Sequence, residues 1–119
     1  MFGLFGGGTP RITPDEAVAG VADGSVQLID IREAGEVQAT GKAKGAKHIP
    51  MMQLVQQCDP RSGGGADALD PAKTVALYCA TGARSNQAGQ ILSKMGFKDV
   101  RNLGGLHDWV RGGGATERA

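Results

Sequence analysis

Cys79 is the residue in this chain best placed to do covalent chemistry. It follows the apolar run Thr74-Val75-Ala76-Leu77-Tyr78 and opens the segment Cys79-Ala80-Thr81-Gly82-Ala83-Arg84-Ser85. A cysteine attacks only as its thiolate, and a free thiol with a pKa of roughly 8.5 holds little of that anion at neutral pH. A strand that turns into a helix corrects this, because loop N–H groups and the positive end of the helix converge on the sulfur. Gly82 permits positive φ in mid-loop, so that amides can point inward. Arg84 adds a fixed positive charge, and Ser85 is expected to cap a helix beginning around Asn86. Cys79 is therefore the candidate nucleophile, with Ala80, Thr81, Gly82, Ala83, Arg84 and Ser85 as the candidate anion-binding residues.

The spacing restricts the reaction. Cys79 and Arg84 form C-x4-R, one residue shorter than the loop with which cysteine-dependent phosphatases wrap a tetrahedral phosphate. A shorter loop favours a smaller object at the sulfur, such as the terminal sulfur of a persulfide. The intervening Ala80, Thr81 and Ala83 are small and uncharged.

The rest of the chain bounds this chemistry. At 119 residues, one compact domain with a single core is expected. Apolar residues make up 40% and charged residues 21%, as in an ordinary soluble globular protein. The formal net charge is +1, with no basic run for nucleic acid. No stretch approaches transmembrane length, so no membrane partner is expected. The apolar start, Met1-Phe2-Gly3-Leu4-Phe5, is too short for a signal segment and lacks a basic leader. A cytoplasmic, thiol-reducing setting is the expectation, and it suits a free cysteine. The only other cysteine is Cys58; neither belongs to a C-x-x-C pair, and His48 and His107 lie far from both, so no zinc site is expected.

The elements that must position Cys79 follow from local signals. Thr13-Pro14-Asp15-Glu16 reads as a capping box opening a helix through Ala17, Val18, Val21 and Ala22, stopped by Gly24. Val26 to Ile31 reads as a buried strand ending in Asp30-Ile31-Arg32. A weak helix is expected from Glu33 to about Ala39, then a turn and brief strand over Gly45-Ala46-Lys47-His48-Ile49-Pro50. A short helix through Met51, Leu54 and Val55 comes next, and Asp59 to Asp70 reads as a mobile loop. Thr74 to Tyr78 is the clearest strand. Ala88, Ile91, Leu92 and Met95 mark one face of a helix ending at Gly96. Lys98 to Asn102 can form a last strand, and Leu106, Trp109 and Val110 a closing helix. Strands alternating with helices predict an α/β domain with a mostly parallel central sheet and helices on both faces. Ligands in such sheets sit beyond the strands' C-terminal ends, where Asp30-Arg32 and Cys79 both fall. The expected division is a Gly-rich segment over 1–12, the domain over 13–111, and a frayed tail over 112–119.

Cys79-x-x-Gly82-x-Arg84-Ser85 resembles the active-site loop of the single-domain rhodanese-like sulfurtransferases. Leu28-Ile29-Asp30-Ile31-Arg32 with Glu36 resembles that family's first strand motif, and Gly45-Ala46-Lys47-His48-Ile49-Pro50 its G-H-I-P-G-A segment. Gly96-Phe97-x-x-Val100-x-x-Leu103-x-Gly105 and Trp109 resemble its C-terminal signature. The ordered set spans about Thr13 to Val110. Two departures stand out: Lys47 is inserted between Ala46 and His48, and Met51-Met52 replaces small residues after the proline. The resemblance implies a single rhodanese-like domain and a two-step transfer. Cys79 takes the sulfane sulfur of a small donor such as thiosulfate, becomes a persulfide, and yields the sulfur to cyanide, a thiol or a protein acceptor. It implies no metal and no organic cofactor. It also implies that Asp30 and Arg32 give structural support to the site.

Other residues have plainer readings. His48 and Trp109 read as scaffold, His107 as exposed, Met51-Met52 as packing, and Cys58 as a free cysteine rather than a resolving thiol. The glycine triplets lack the Lys-Ser or Lys-Thr of a phosphate loop. The competing functional readings are a non-catalytic rhodanese-like module that binds or regulates a protein partner, and a phosphatase or arsenate-reductase-like enzyme, against which the short loop argues.

Overall fold

The computed structural model describes residues 8–59 and 69–118. The expected mobile loop falls largely on residues outside these, as does the apolar N-terminal start. Five helices are found among the described residues: α1 (Pro14–Asp23), α2 (Ala34–Thr40), α3 (Leu54–Cys58), α4 (Ala83–Lys94) and α5 (Leu106–Arg111). The strands are β1 (Val26–Asp30), β2 (Lys42–Ala43), β3 (Lys47–His48), β4 (Thr74–Cys79), β5 (Val100–Gly105) and β6 (Thr116–Glu117). A 3-10 turn over Met51–Gln53 leads into α3.

The main sheet has the order β3-β1-β4-β5, with every pair parallel. Alternation along the strands divides the core in two. Ile29, Val75, Leu77 and Cys79 face Leu54 of α3 and Ala88 and Leu92 of α4. Leu28, Ala76 and Tyr78 face Ala17 of α1 and Trp109 of α5. The chain thus adopts the expected α/β fold, helices covering both faces of a parallel sheet. The reason is the one legible in the sequence: β1 and β4 are apolar on both sides and must be covered on both.

Local signals set several boundaries. Thr13 caps α1 through its hydroxyl, Glu16 returns the bond to the Thr13 amide, and Gly24 closes the helix in the left-handed region at φ 85°. Between β4 and β5 the register shifts at Leu77/Tyr78, so that Tyr78 faces Gly104 and Cys79 faces Gly105. The shift places two side-chain-free residues next to the end of β4, where the chain must turn sharply.

Three expectations are corrected. Ser85 does not cap a helix: α4 begins at Ala83 with Gly82 at the N-cap, because the turn after Cys79 tightens at once into helix. The tail after residue 112 is not frayed throughout, since β6 pairs antiparallel with β2, and Lys42 meets Glu117 at 2.5 Å. Trp109 anchors this return by donating its indole N–H to the Ala115 carbonyl at 2.6 Å. The N-terminal segment also joins the domain before residue 13. Arg11 bridges Asn102 alongside β5, and Thr9 donates two 2.7 Å bonds to Asn86 of α4, from its N–H and its hydroxyl.

Candidate active site

Cys79 ends β4 with its side chain on the α3–α4 face, and it is 1% exposed. The chain then reverses over Ala80, Thr81 and Gly82. Gly82 has φ 105°, a value a side-chain-bearing residue rarely adopts, and its N–H donates to the Cys79 Sγ at 3.0 Å. Gly105 lies so close beneath the loop that a Cβ there would collide with the Ala80 carbonyl. Burial alone pushes the Cys79 thiol up. The Ser85 hydroxyl and the amides of Ser85, Gly82 and Thr81 outweigh it, and the net effect is a lowered pKa. These contacts form a cradle for a sulfur anion at the N-terminus of a helix of 12 residues. Ala80, Thr81 and Ala83 are exposed, Gly82 and Ser85 buried. Ala80 and Ala83 therefore shape the loop and its rim, whereas the Gly82 amide and the Ser85 hydroxyl contact the sulfur and the Thr81 amide adds to the field that favours its anion.

Arg84 is also engaged elsewhere. Its guanidinium makes a two-pronged pair with Glu36 of α2, at 2.8 and 2.7 Å. Glu36 in turn accepts from the Glu33 amide at 2.8 Å. The pair with Arg84, helped by that amide, holds the Glu36 carboxyl at about 2. Arg84 is raised above its ordinary value, chiefly by Glu36 and further by the charge on Cys79. Arg84 therefore clamps the loop to α2 while standing within reach of the sulfur.

Asp30 and Arg32 form a buried ion pair at 2.7 Å, with side chains 0% and 5% exposed. Arg32 also donates to Thr40 Oγ1 and to the Gly41 carbonyl, both at 2.8 Å. The Tyr78 hydroxyl donates to Asp30 at 2.6 Å and accepts from the Ala43 amide at 2.9 Å, while the Arg32 guanidinium lies 5.6 Å from the Tyr78 ring centroid. His48 bonds the Arg32 carbonyl through Nε2 at 2.7 Å. This network occupies the face of β4 opposite Cys79. It ties β1, β2, β4 and the end of α2 together and makes no bond to the sulfur.

One buried residue of the loop's surroundings escapes a reading by motif. Asn102 of β5, 4% exposed, donates from Nδ2 to the Gly82 carbonyl at 3.0 Å, and its Oδ1 accepts from Ser85 at 2.7 Å and from the Gly104 amide at 2.9 Å. No spacing rule connects it to Cys79; only the parallel pairing of β4 with β5 brings them together. Cys58 is a buried free thiol whose pKa burial pushes up to about 11. Among the described residues, no group of three or more His, Cys, Asp or Glu side chains is placed to hold a metal ion. Nor is any helix long and apolar enough to cross a membrane.

A thiol with its anion stabilised by three amides and a hydroxyl, beside an arginine, can act as a nucleophile and can hold a small anionic adduct. Comparison with known proteins bears on which. The family profile described as Rhodanese-like domain matches residues 13–111. The uncharacterized protein YqhL of Bacillus subtilis (strain 168) is 36% identical over 99 residues, covering 82% of this chain and 70% of that protein. Thiosulfate sulfurtransferase PspE of Escherichia coli (strain K12) is 37% identical over 81 residues, covering 67% of this chain and 70% of PspE. Among solved structures, the human single-domain sulfurtransferase TSTD1 superposes with a TM-score of 0.72 at 27% identity, over 87% of this chain and 97% of that one.

Proposed function

The chain belongs to the rhodanese-like domain family, and on that premise we propose that it is a sulfurtransferase that carries a sulfane sulfur on Cys79. The observation that carries this reading is the inward-turned loop, in which the Gly82 N–H meets the Cys79 sulfur at 3.0 Å. The Cys79 thiolate attacks the outer sulfur of a donor such as thiosulfate. A new S–S bond forms, the donor's S–S bond breaks, and its electron pair leaves with sulfite. The outer sulfur of the resulting persulfide carries the negative charge, in a cradle of N–H groups that suits it. A thiophilic acceptor, cyanide or the thiol of a small molecule or protein, then attacks that sulfur, and the bonding pair returns to Cys79 as thiolate. Every step exchanges one sulfur and one electron pair, so the cycle needs no external oxidant or reductant.

The names of the relatives PspE and TSTD1 support the reaction class. The length of the loop supports a single sulfur, rather than a phosphoryl group, as its cargo. Steady-state formation of thiocyanate from thiosulfate and cyanide tests the proposal. Parallel double-reciprocal lines, lost in Cys79→Ala, are the expected result. Equal turnover in Cys79→Ala would remove Cys79 from the mechanism. Absence of turnover with every sulfane donor tried would leave a protein-binding module as the better reading.

A further inference from the structure

The Ser85 hydroxyl has one proton to give and three acceptors around it. Asn102 Oδ1 is at 2.7 Å, the Gly82 carbonyl at 3.1 Å and Cys79 Sγ at 3.5 Å. The orientation of the Asn102 amide is fixed by its other partners. The Gly104 N–H donates to Oδ1 at 2.9 Å, and Nδ2 donates to the Gly82 carbonyl at 3.0 Å. Turning the amide over would set N–H against N–H and oxygen against oxygen. Oδ1 therefore faces Ser85 and takes its proton, as the shortest of the three contacts records. Ser85 Oγ then turns a lone pair toward the sulfur, an arrangement that suits a neutral S–H donating to it.

When the sulfur ionises, this arrangement is wrong. A lone pair faces an anion unless the Ser85 hydroxyl rotates onto the sulfur and gives up Asn102. We propose that Asn102 is a positioning residue that holds the Ser85 proton away from the Cys79 sulfur until the sulfur carries charge, and so sets the resting thiolate fraction. The consequence for catalysis rests on the sulfurtransferase reading above. An anion stabilised too strongly attacks slowly, because nucleophilicity falls with basicity, and the best attacking thiol has a pKa near ambient pH. Competition between Asn102 and the sulfur for one proton keeps Cys79 ionisable without making its thiolate inert.

The backbone of Asn102 is held independently of its side chain. Its N–H donates to the Pro10 carbonyl at 2.7 Å and its carbonyl accepts from the Ile12 amide at 3.2 Å. Asn102→Leu, of similar size, thus removes the competing acceptor while leaving the strand in place. The test is the pH dependence of iodoacetamide alkylation at Cys79, read by peptide mass mapping, in the wild type, Asn102→Leu, Ser85→Ala and the double variant. Asn102→Leu is expected to lower the midpoint by about one pH unit, as the freed hydroxyl makes a charge-assisted bond to sulfur. Ser85→Ala is expected to raise it, and in the Ser85→Ala background the Asn102→Leu effect should vanish. A purely structural Asn102 gives the opposite sign, since a loosened loop loses its amides. A raised or unchanged midpoint in Asn102→Leu, or a drop that persists without Ser85, overturns the proposal. Circular dichroism checks folding, and Asn102→Ala carries the same expectation if the leucine variant does not fold. Alkylation needs no sulfur donor. A protein with these shifts but no transfer loses the transferase reading alone, and the reverse result loses this proposal alone.

Discussion

The Gly82 N–H donates to the Cys79 sulfur at 3.0 Å from three residues further along the chain, and Gly82 itself sits at φ 105°, where the backbone turns from that bond into α4. Backbone conformation and the charge on sulfur are thereby linked. The amide that welcomes the anion belongs to a left-handed residue, and that residue is also the N-cap of α4.

Gly82→Ala tests this link. A Cβ there would lie 3.3 Å from the Gly104 Cα, and the left-handed backbone costs a side-chain-bearing residue about 1–3 kcal/mol. The loop is expected to relax, lose its aim and raise the Cys79 pKa, which slows alkylation at neutral pH. Unchanged alkylation kinetics in a folded Gly82→Ala protein would show that the Gly82 amide does not stabilise the thiolate.

Much of this arrangement is legible in the sequence because its signals are local. The Thr13–Glu16 capping box, the β4 run into Cys79 and the spacing of Ala88 and Leu92 each lie within a few residues, and the structure keeps them all. What escapes is set by pairing between distant segments. Asn102 comes to Ser85 across 17 residues and Tyr78 to Asp30 across 48, through parallel strand registers that no periodicity encodes. The start of α4 at Ala83 is missed for a similar reason. A serine looks like a cap by type, yet the Gly82 backbone had already turned, which left Ser85 inside the helix and free to face the sulfur. The Thr116–Glu117 strand follows three consecutive glycines, and its order depends on Lys42 and Trp109 rather than on its own composition.

The Arg84–Glu36 clamp has a pH signature. Glu36 falls from an ordinary 4.5 to about 2 in the folded protein, so its contribution to stability is fully present above about 4.5 and is lost as pH falls through 2. Both side chains are about a third exposed, and solvent screening limits the contribution to about 0.5–1 kcal/mol. Thermal unfolding between pH 5 and pH 2 should show a small difference between the wild type and Glu36→Gln that closes at the acid end. A constant difference across that range would show that the carboxylate charge is not what clamps the loop.

The buried Asp30–Arg32 pair should matter more to stability than to reaction. Arg32→Leu leaves Asp30, 0% exposed, without its counter-charge, and the loss is expected to be about 3–5 kcal/mol in denaturant unfolding. Residual folded protein should keep the Cys79 alkylation profile, because the network makes no bond to the sulfur. A stability change below about 1 kcal/mol would mean that water or rearranged neighbours neutralise Asp30.

Cys58 should stand outside the chemistry. With its thiol pushed to about 11 by burial, it stays protonated at neutral pH, and alkylation there should map to Cys79 alone. Cys58→Ala is expected to retain full sulfur transfer. Loss of transfer in that variant, with Cys79 still reactive, would identify Cys58 as a resolving thiol.

The central claim is that Cys79 carries the sulfur, and intact-mass analysis after incubation with thiosulfate tests it most directly. The wild type should gain the mass of one sulfur atom, lose it on addition of cyanide, and release sulfite in equal amount; Cys79→Ser should gain nothing. An adduct on both proteins, or none on either with thiosulfate or a polysulfide as donor, would contradict the account.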